Sequence, residues 1–348
     1  MYLRIRNGAG RQWPAGRDPI FFAQLESELA FVKTFPPPRG DQAVQQVTNT
    51  CMTCHGAMGK RQQDIDKGAL TDFNLNYLQL SNRTDPNFKY GALARDGISC
   101  TVCHRIVPDQ TPPGEDPLQH FLQNSINGTA PLTPANQLNA PAANATLAPY
   151  AMANGIGILP VQSDYVRSSR MCGTCHTINL PVLDQGIAAV HSIEQSTYLE
   201  WLNSAYQTEF GAPGPNAKNC QVCHMSGSFH NAAKGINQGQ LKQKVAAIQD
   251  ETYPTSEGQV PLDQITIRQR NDYSRHELLG LNVFLLELFK QFPDVLGVRP
   301  DDYFTGSNTV LQDTIDNLTQ QAQERTAIVG IAATRAVVNG ARLPRMSL

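Results

Sequence analysis

Cys51-Met-Thr-Cys54-His55, Cys100-Thr-Val-Cys103-His104, Cys172-Gly-Thr-Cys175-His176 and Cys220-Gln-Val-Cys223-His224 repeat one pentapeptide pattern four times in 348 residues. Cys-x-x-Cys-His is the attachment signature of a c-type haem. The two thiols add across the vinyl groups of the macrocycle, and the His that follows offers the proximal nitrogen to iron. The pentapeptide is short because both sulfurs and the imidazole must reach one edge and one face of the same ring. All eight cysteines are consumed by these motifs. Cys-x-x-Cys alone also reads as zinc or redox chemistry. The His decides: a pair of four-cysteine zinc sites accounts for the cysteines and leaves four regularly placed histidines unexplained. Four disulfides fit worse, since two intervening residues make a poor loop to close. The sequence therefore predicts four covalently attached haem c groups, held through Cys51, Cys54, His55, Cys100, Cys103, His104, Cys172, Cys175, His176, Cys220, Cys223 and His224.

The sixth ligand of each iron sets the chemistry. A protein side chain there makes an electron carrier, and an open position lets iron bind a small molecule. Beyond the attachment histidines the chain has four more: His120, His191, His230 and His276. Four haems and four spare histidines is the count for two imidazoles per iron. His276 is placed at the start of a helix, with Gly280 on the same face leaving room for a flat ring. His230 follows His224 by only six residues, so it would serve a neighbouring haem rather than its own. His120 and His191 sit in less regular sequence. Methionine is the competing ligand: Met152 and Met171 stay open, whereas Met52, Met58 and Met225 are tied to their own motifs. Tyr206 reads as a packed aromatic before it reads as an oxygen ligand.

Composition narrows the classes. Net charge is −2 and no basic run exceeds a few residues, which excludes a nucleic-acid partner on electrostatic grounds. There is no Gly-x-Ser-x-Gly, His-Glu-x-x-His or P-loop, so hydrolytic and nucleotide chemistry lack a constellation. The most apolar stretch, Leu278 to Phe292, carries Glu287 and Lys290 and stops at Pro293, too short for a membrane span. Haem c is attached outside the bacterial cytoplasm, so a periplasmic or extracellular location is expected. Met1-Tyr-Leu-Arg-Ile-Arg-Asn-Gly has no apolar core, and an export segment is expected upstream or already removed.

Local signals organise the chain. Asp18-Pro19 is a helix start, followed by Ile20, Phe21, Leu25, Leu29 and Val32 at helical spacing and ended by Pro36-Pro37-Pro38. Asp41 heads a helix running into Cys51, and Asp85-Pro86 one that ends near Gly97 and delivers Cys100. Nine of the 23 prolines fall between Pro108 and Pro160, which predicts a long irregular covering segment. Thr197-Tyr-Leu-Glu200 reads as a capping box, with Tyr198, Leu202 and Ala205 on one face. Asn271 or Asp272 is expected to begin the strongest helix, through Leu279, Val283 and Leu286 to Phe292. Another is expected from about Asn308, with Leu311, Ile315, Leu318 and Ala322 in phase. Thr326 to Ala332 is β-branched, and Val337-Val338 leads into Asn339-Gly340, a hairpin signal. A lone hairpin is not stable in water, so a β region beyond Leu348 is expected.

Gly97-Ile-Ser-Cys-Thr-Val-Cys-His104, Cys172-Gly-Thr-Cys-His176, Thr197-Tyr-Leu-Glu-Trp-Leu-Asn-Ser204 and Cys220-Gln-Val-Cys-His-Met225 resemble the multihaem cytochromes related to hydroxylamine oxidoreductase and its tetrahaem electron-acceptor cytochrome. The resemblance covers roughly residues 45 to 290. It implies an exported, mainly α protein: an irregular helical multihaem cytochrome c fold, with long loops around a haem core and short β elements at the C-terminus. Residues 1–300 would form the tetrahaem domain, with an irregular insertion at about 105–165, and 301–348 a helix and the start of a β region. It further implies haems stacked in close pairs that carry electrons between redox partner proteins, in a homo-oligomer or a larger multihaem complex. Many relatives bind a haem through a His shortly after the Glu-Trp pair. Here Tyr206 stands near that point, so one haem is ligated from elsewhere, His191 being one source, or lacks a sixth ligand. The second expectation is therefore an oxidoreductase acting on a small nitrogen or sulfur compound at one five-coordinate haem. Catalytic relatives use an altered attachment motif or a tyrosine crosslink, and the sequence gives no direct sign of either.

Overall fold

Helix is the main element, and the first begins where Asp18 caps it. In the computed structural model the Asp18 carboxylate accepts from the backbone N–H of Ile20 (2.9 Å) and Phe21 (3.3 Å), with Pro19 at the first helical position. The described residues are 18–141, 153, 157–184, 187–225, 229–231, 236–238, 241–244, 269–273, 276, 278, 282–295, and positions 311–312, 315–316, 318–319, 337–338 and 341–342. Met152, Leu279, Gly280, Asn308, Ala322, the 326–332 stretch and the Asn339-Gly340 turn fall outside them.

Helix α1 (Pro19–Val32) packs on α2 (Arg39–His55), which runs through the first motif; α3 (Ala57–Lys67) follows directly. A 3-10 turn at Leu75–Gln79 and α4 (Phe88–Arg95) close this part. Its core is Phe21, Leu25, Met52, Phe73, Tyr90 and Ala94. Met52, the second residue of the first motif, is wholly buried there. Truncating it to Ala is worth about 2–5 kcal/mol by lost transfer energy and the cavity left behind. The attachment turn is thus bolted to a hydrophobic core from its back side.

Beyond α4, Gly97 takes a left-handed turn (φ 65°) into α5 (Cys100–Cys103). The segment between Pro108 and Pro160 is not irregular throughout. It holds α6 (Pro117–Asn124), whose Asp116 accepts from the Gln119 N–H at 2.8 Å. It also holds β1 (Gln137–Ala140), which pairs in parallel with β2 (Leu159–Gln162), Gln137 opposite Leu159. A short helix at Ser169–Gly173 leads into the third motif. The antiparallel strands β3 (Ile178–Asp184) and β4 (Ile187–Gln195) then return the chain to a helix at Thr197–Leu202. The cap of that helix is Ser196, not Thr197; the Ser196 hydroxyl donates to Glu200 at 2.5 Å. Tyr198, Phe121 and Ile126 form a second core with Trp201, Leu202 and Phe210 around it.

The expected helix start at Asn271 or Asp272 is not observed. Those residues lie in β8 (Gln269–Tyr273), paired antiparallel with β7 (Leu241–Lys244), and the helix begins at Asn282 and runs to Gln291. Strand pairing across some thirty residues overrides the local cap signal. A further pair joins β5 (Phe229–Asn231) and β6 (Ile236–Gln238). Leu311, Ile315 and Leu318 are helical and buried, in the expected phase. Val337–Val338 pairs antiparallel with Ala341–Arg342, as the hairpin signal predicts. Among the described residues the sheets are all two-stranded, there is no barrel, and the protein is mainly α. No helix among them is long and apolar enough to cross a membrane.

Candidate functional site

On an α-helix, positions i, i+3 and i+4 share one face. Cys-x-x-Cys-His therefore needs only a single helical turn to present two sulfurs and an imidazole together, and all four motifs are built on such a turn. The first ends α2, the second is α5, and the fourth is the helix Cys220–His224. In the third, the N–H groups of Cys175 (3.1 Å) and His176 (2.9 Å) both donate to the Cys172 carbonyl. At least one intervening residue of each turn points inward. Met52, Val102, Thr174 and Gln221 are buried, one from each motif.

Polar contacts then tie the turns to one another. The Gly128 backbone, at φ 75°, abuts the first motif: a Cβ there would stand 2.8 Å from Thr53 Cγ2 and 2.9 Å from Cys54 Sγ. Its N–H donates to the Thr174 carbonyl at 2.8 Å, and the Thr174 hydroxyl donates to the Ser125 carbonyl. Asn127 and Asn179 exchange two amide hydrogen bonds, at 2.8 and 3.0 Å. One loop, residues 125–129, thus bridges the first and third motifs. The third is also locked to the fourth. Ser169 Oγ accepts from the Cys220 N–H (3.1 Å), and Gln221 Nε2 donates to the carbonyls of Val166 (3.1 Å) and Ser168 (2.9 Å).

Glu209 caps the helix that enters the third motif. It accepts from the Ser168 hydroxyl (2.5 Å), the Ser169 N–H (2.7 Å) and the Tyr198 hydroxyl (2.9 Å). Burial, with the Glu209 carboxylate beside it, holds the Tyr198 phenol far above its usual range. Tyr198 lies against Gly173, where any Cβ would stand 2.7 Å from the ring. This accounts for Gly at the variable position of that motif. The Tyr198 N–H donates to the His176 carbonyl at 3.1 Å.

The thiols converge. Cys54 lies beside Cys175 and Cys172 beside Cys220, and Cys103 lies within electrostatic range of Cys175 and Cys172. The third motif therefore touches or neighbours each of the other three. Burial pushes the Cys51 thiol up to about 11 and the Cys103 thiol up to about 12, so both are neutral at neutral pH. No disulfide links the eight cysteines. Among the described residues no group of three or more His, Cys, Asp or Glu side chains gathers as a metal cage.

His104 is the most fully specified imidazole. Its Nδ1 lies 2.7 Å from the Asn139 carbonyl. A carbonyl only accepts, so Nδ1 carries the proton and Nε2 presents its lone pair, the tautomer a metal-binding His needs. Asn139 is held in turn, its N–H donating to the His104 carbonyl (2.6 Å) and its amide to the Ile106 carbonyl (2.8 Å). The His276 ring centre lies 6.0 Å from that of His104, with ring planes 29° apart. A metal–imidazole bond is about 2 Å, so two imidazoles on opposite sides of one ion have ring centres roughly 6 Å apart once the ring radii are added. The observed ring-centre spacing matches that figure. His276 takes this position from outside any helix, since the helix begins at Asn282.

The other histidines divide. Phe21 stacks on His55 at 3.6 Å, with planes 2° apart. Burial, reinforced by nearby His224, pushes His176 below the usual range and keeps it neutral. His120 is placed elsewhere: Nδ1 is 2.6 Å from Glu115 and Nε2 3.1 Å from Asp109. With both nitrogens on carboxylates, neither is presented to a metal. His191 lies on β4 opposite Pro181, and His230 on β5 opposite Asn237; their imidazoles lie outside the described set. Met171 is packed beside Ile106, Ala130 and Tyr165. Sequence reasoning missed Asn139, Gly128 and Glu209. Asn139 acts through its backbone, which leaves no trace in residue type. Comparison with protein-family models, with curated proteins and with solved structures finds no match to this chain.

Proposed function

We propose that this protein is an exported tetrahaem c-type cytochrome, akin to the multihaem cytochromes of the hydroxylamine oxidoreductase group, that passes electrons between redox partner proteins. The observation that carries this reading is the contiguity of four attachment turns around the third motif. Cofactors bound there would lie next to one another, as transfer between them requires. When bound, haem c supplies one-electron chemistry at an iron whose potential is set by axial ligands, hydrogen bonding to them and burial.

The residues divide that task. Eight cysteines hold the macrocycles and the four attachment histidines offer the proximal nitrogens. His276 offers a second nitrogen opposite His104. The Asn139 carbonyl fixes the tautomer of His104 and, by accepting its Nδ1–H, makes Nε2 a stronger donor. Met52, Val102 and Thr174, each almost fully buried, keep water from the backs of the turns. Gly128 and Gly173 admit close neighbours that fix the turns in place.

A second reading has its own support. With His120 held by two carboxylates, three spare histidines remain for four irons. One iron then lacks a second imidazole, and an open position there would suit a small nitrogen or sulfur compound. One experiment separates the two. Intact mass of the matured protein should show four covalent haems, retained on acid–acetone extraction. The ferric protein should then be examined for spin state, haem by haem. Uniformly low-spin spectra support the carrier. A high-spin signal that shifts with nitrite, hydroxylamine or sulfite supports the enzyme. Fewer than four haems on properly matured protein would overturn both.

A further inference from the structure

His120 stands between two carboxylates from the loop that joins the second motif to α6. Its Nδ1 lies 2.6 Å from Glu115 Oε2 and its Nε2 3.1 Å from Asp109 Oδ2. An ionised carboxylate only accepts, so both ring nitrogens carry protons and the ring is an imidazolium. Glu115 and Asp109 are the charged groups that face it. Asp116, at the start of the same helix, spends its carboxylate on the Gln119 N–H at 2.8 Å. The other polar neighbour is Asn124, one turn along α6. Its Nδ2 donates to the His120 carbonyl at 2.9 Å and lies 3.4 Å from Nδ1. An amide nitrogen carries two hydrogens. The second finds no acceptor at Nδ1 while that atom is itself protonated.

Loss of one proton reverses these preferences. A neutral imidazole keeps one N–H and offers one lone pair. Retaining Nε2–H keeps Asp109, whose side chain is 22% exposed and also accepts from the Ser125 hydroxyl at 2.9 Å. Nδ1 then offers its lone pair, repels Glu115 and accepts from Asn124. Glu115 is the partner free to leave, because its side chain is 50% exposed and water replaces the lost bond. The loop has room to follow, since nothing lies within 4 Å of the Cβ position of neighbouring Gly114. We propose that His120 is a pH-sensitive catch: charged, it holds the Glu115 end of the 110–116 loop on α6, and neutral, it exchanges Glu115 for Asn124 and lets that end go. The Asp109 end stays, and with it Ser125 and the 125–129 loop that bridges the first and third motifs. The catch is fully closed at low pH. It opens as pH rises through the folded-state value, which the Glu115 hydrogen bond, then Asp109, holds above 6.5. It is built from these side chains alone and does not depend on what the four attachment turns bind.

The test uses the matured protein. Deuterium uptake at the ring C2 of His120, followed by peptide mass, gives the pKa of that one residue. Amide exchange at residues 114–116, corrected for the intrinsic effect of pH, reports the loop. In the wild type the protection of the loop should fall as pH passes through the His120 pKa. Two variants should move that value in opposite directions. Glu115→Gln removes a facing charge and should lower it, so that the loop opens at a lower pH. Asn124→Ala removes the donor that stabilises the neutral ring and should raise it, so that the loop stays closed to a higher pH. Both side chains lie at exposed positions, so neither variant empties the core. Loop protection that ignores the titration of His120 would overturn the catch. An unchanged His120 pKa in either variant would overturn the exchange of partners on which it rests.

Discussion

Replacing Gly128 by Ala tests whether the 125–129 loop positions the first attachment turn. The new Cβ would meet Thr53 Cγ2 at 2.8 Å and Cys54 Sγ at 2.9 Å, and the backbone would have to keep a φ of 75°. The left-handed conformation costs about 1–2 kcal/mol for a residue with a Cβ. Overpacking against a fixed neighbour adds about 1–3 kcal/mol. The expected loss is therefore roughly 2–5 kcal/mol. Gly114 provides a matched control: its φ is 91°, but nothing lies within 4 Å of its Cβ position. Gly114→Ala should show the conformational part alone, about 1–2 kcal/mol. Urea unfolding of both variants gives the difference directly if the slopes agree. Adding Thr53→Ser removes one of the two clashing atoms and should recover part of the Gly128→Ala loss but none of the Gly114→Ala loss. Equal losses at the two glycines, or no recovery with Thr53→Ser, would refute the reasoning.

Other outcomes follow from the same geometry. His276→Ala should convert one low-spin haem to high-spin and open it to carbon monoxide or cyanide, and His276→Met should keep it low-spin at a higher potential, because a thioether favours ferrous iron; unchanged spectra in the Ala variant would remove His276 from the ligand set. Glu209→Gln keeps the shape but loses the charge behind three hydrogen bonds, and should cost about 1.5–3 kcal/mol in urea unfolding, a loss that Tyr198→Phe in the same protein should partly share. His120 has its pKa raised above the ordinary 6.5 by the hydrogen bond to Glu115, then by Asp109. Its charged pairing therefore stabilises fully below pH 6.5 and fades as pH rises through the folded-state value. The stability gap between wild type and His120→Gln should narrow from pH 6 to pH 9, and a gap independent of pH would show that the carboxylates do not hold a protonated ring.

What could be read from the chain was local. Asp18-Pro19 carries its own cap, and Leu311, Ile315 and Leu318 declare their helix by spacing alone. The Cys-x-x-Cys-His turns are legible for the same reason, since three groups on one helical face need no distant partner. Asp116-Pro117 repeats the Asp18-Pro19 signal inside the proline-rich stretch, and α6 starts there; the density of prolines masked a cap that was present. Other features depend on partners far along the chain. Asn271 and Asp272 look like helix caps until β7 pairs with them. The β1–β2 pair joins strands about twenty residues apart in parallel. The ring that His276 lies beside could not be named because His104 is 172 positions away, and the group that orients His104 is a main-chain carbonyl.

The central place of the third motif has a consequence for robustness. Cys175 meets Cys54 and neighbours Cys103, while Cys172 meets Cys220. If haems occupy these turns, as proposed, their circuit would be a three-armed junction, not a line. In a line of four stations, damage at either inner station cuts traffic in two. At a junction, losing any one arm leaves the other two connected, and only loss of the hub isolates every station at once. The fold reflects that asymmetry. The third motif is braced by Glu209, Tyr198, the 125–129 loop and the fourth motif together. Under the proposed function, a protein wired this way would have three terminals and one site it cannot lose.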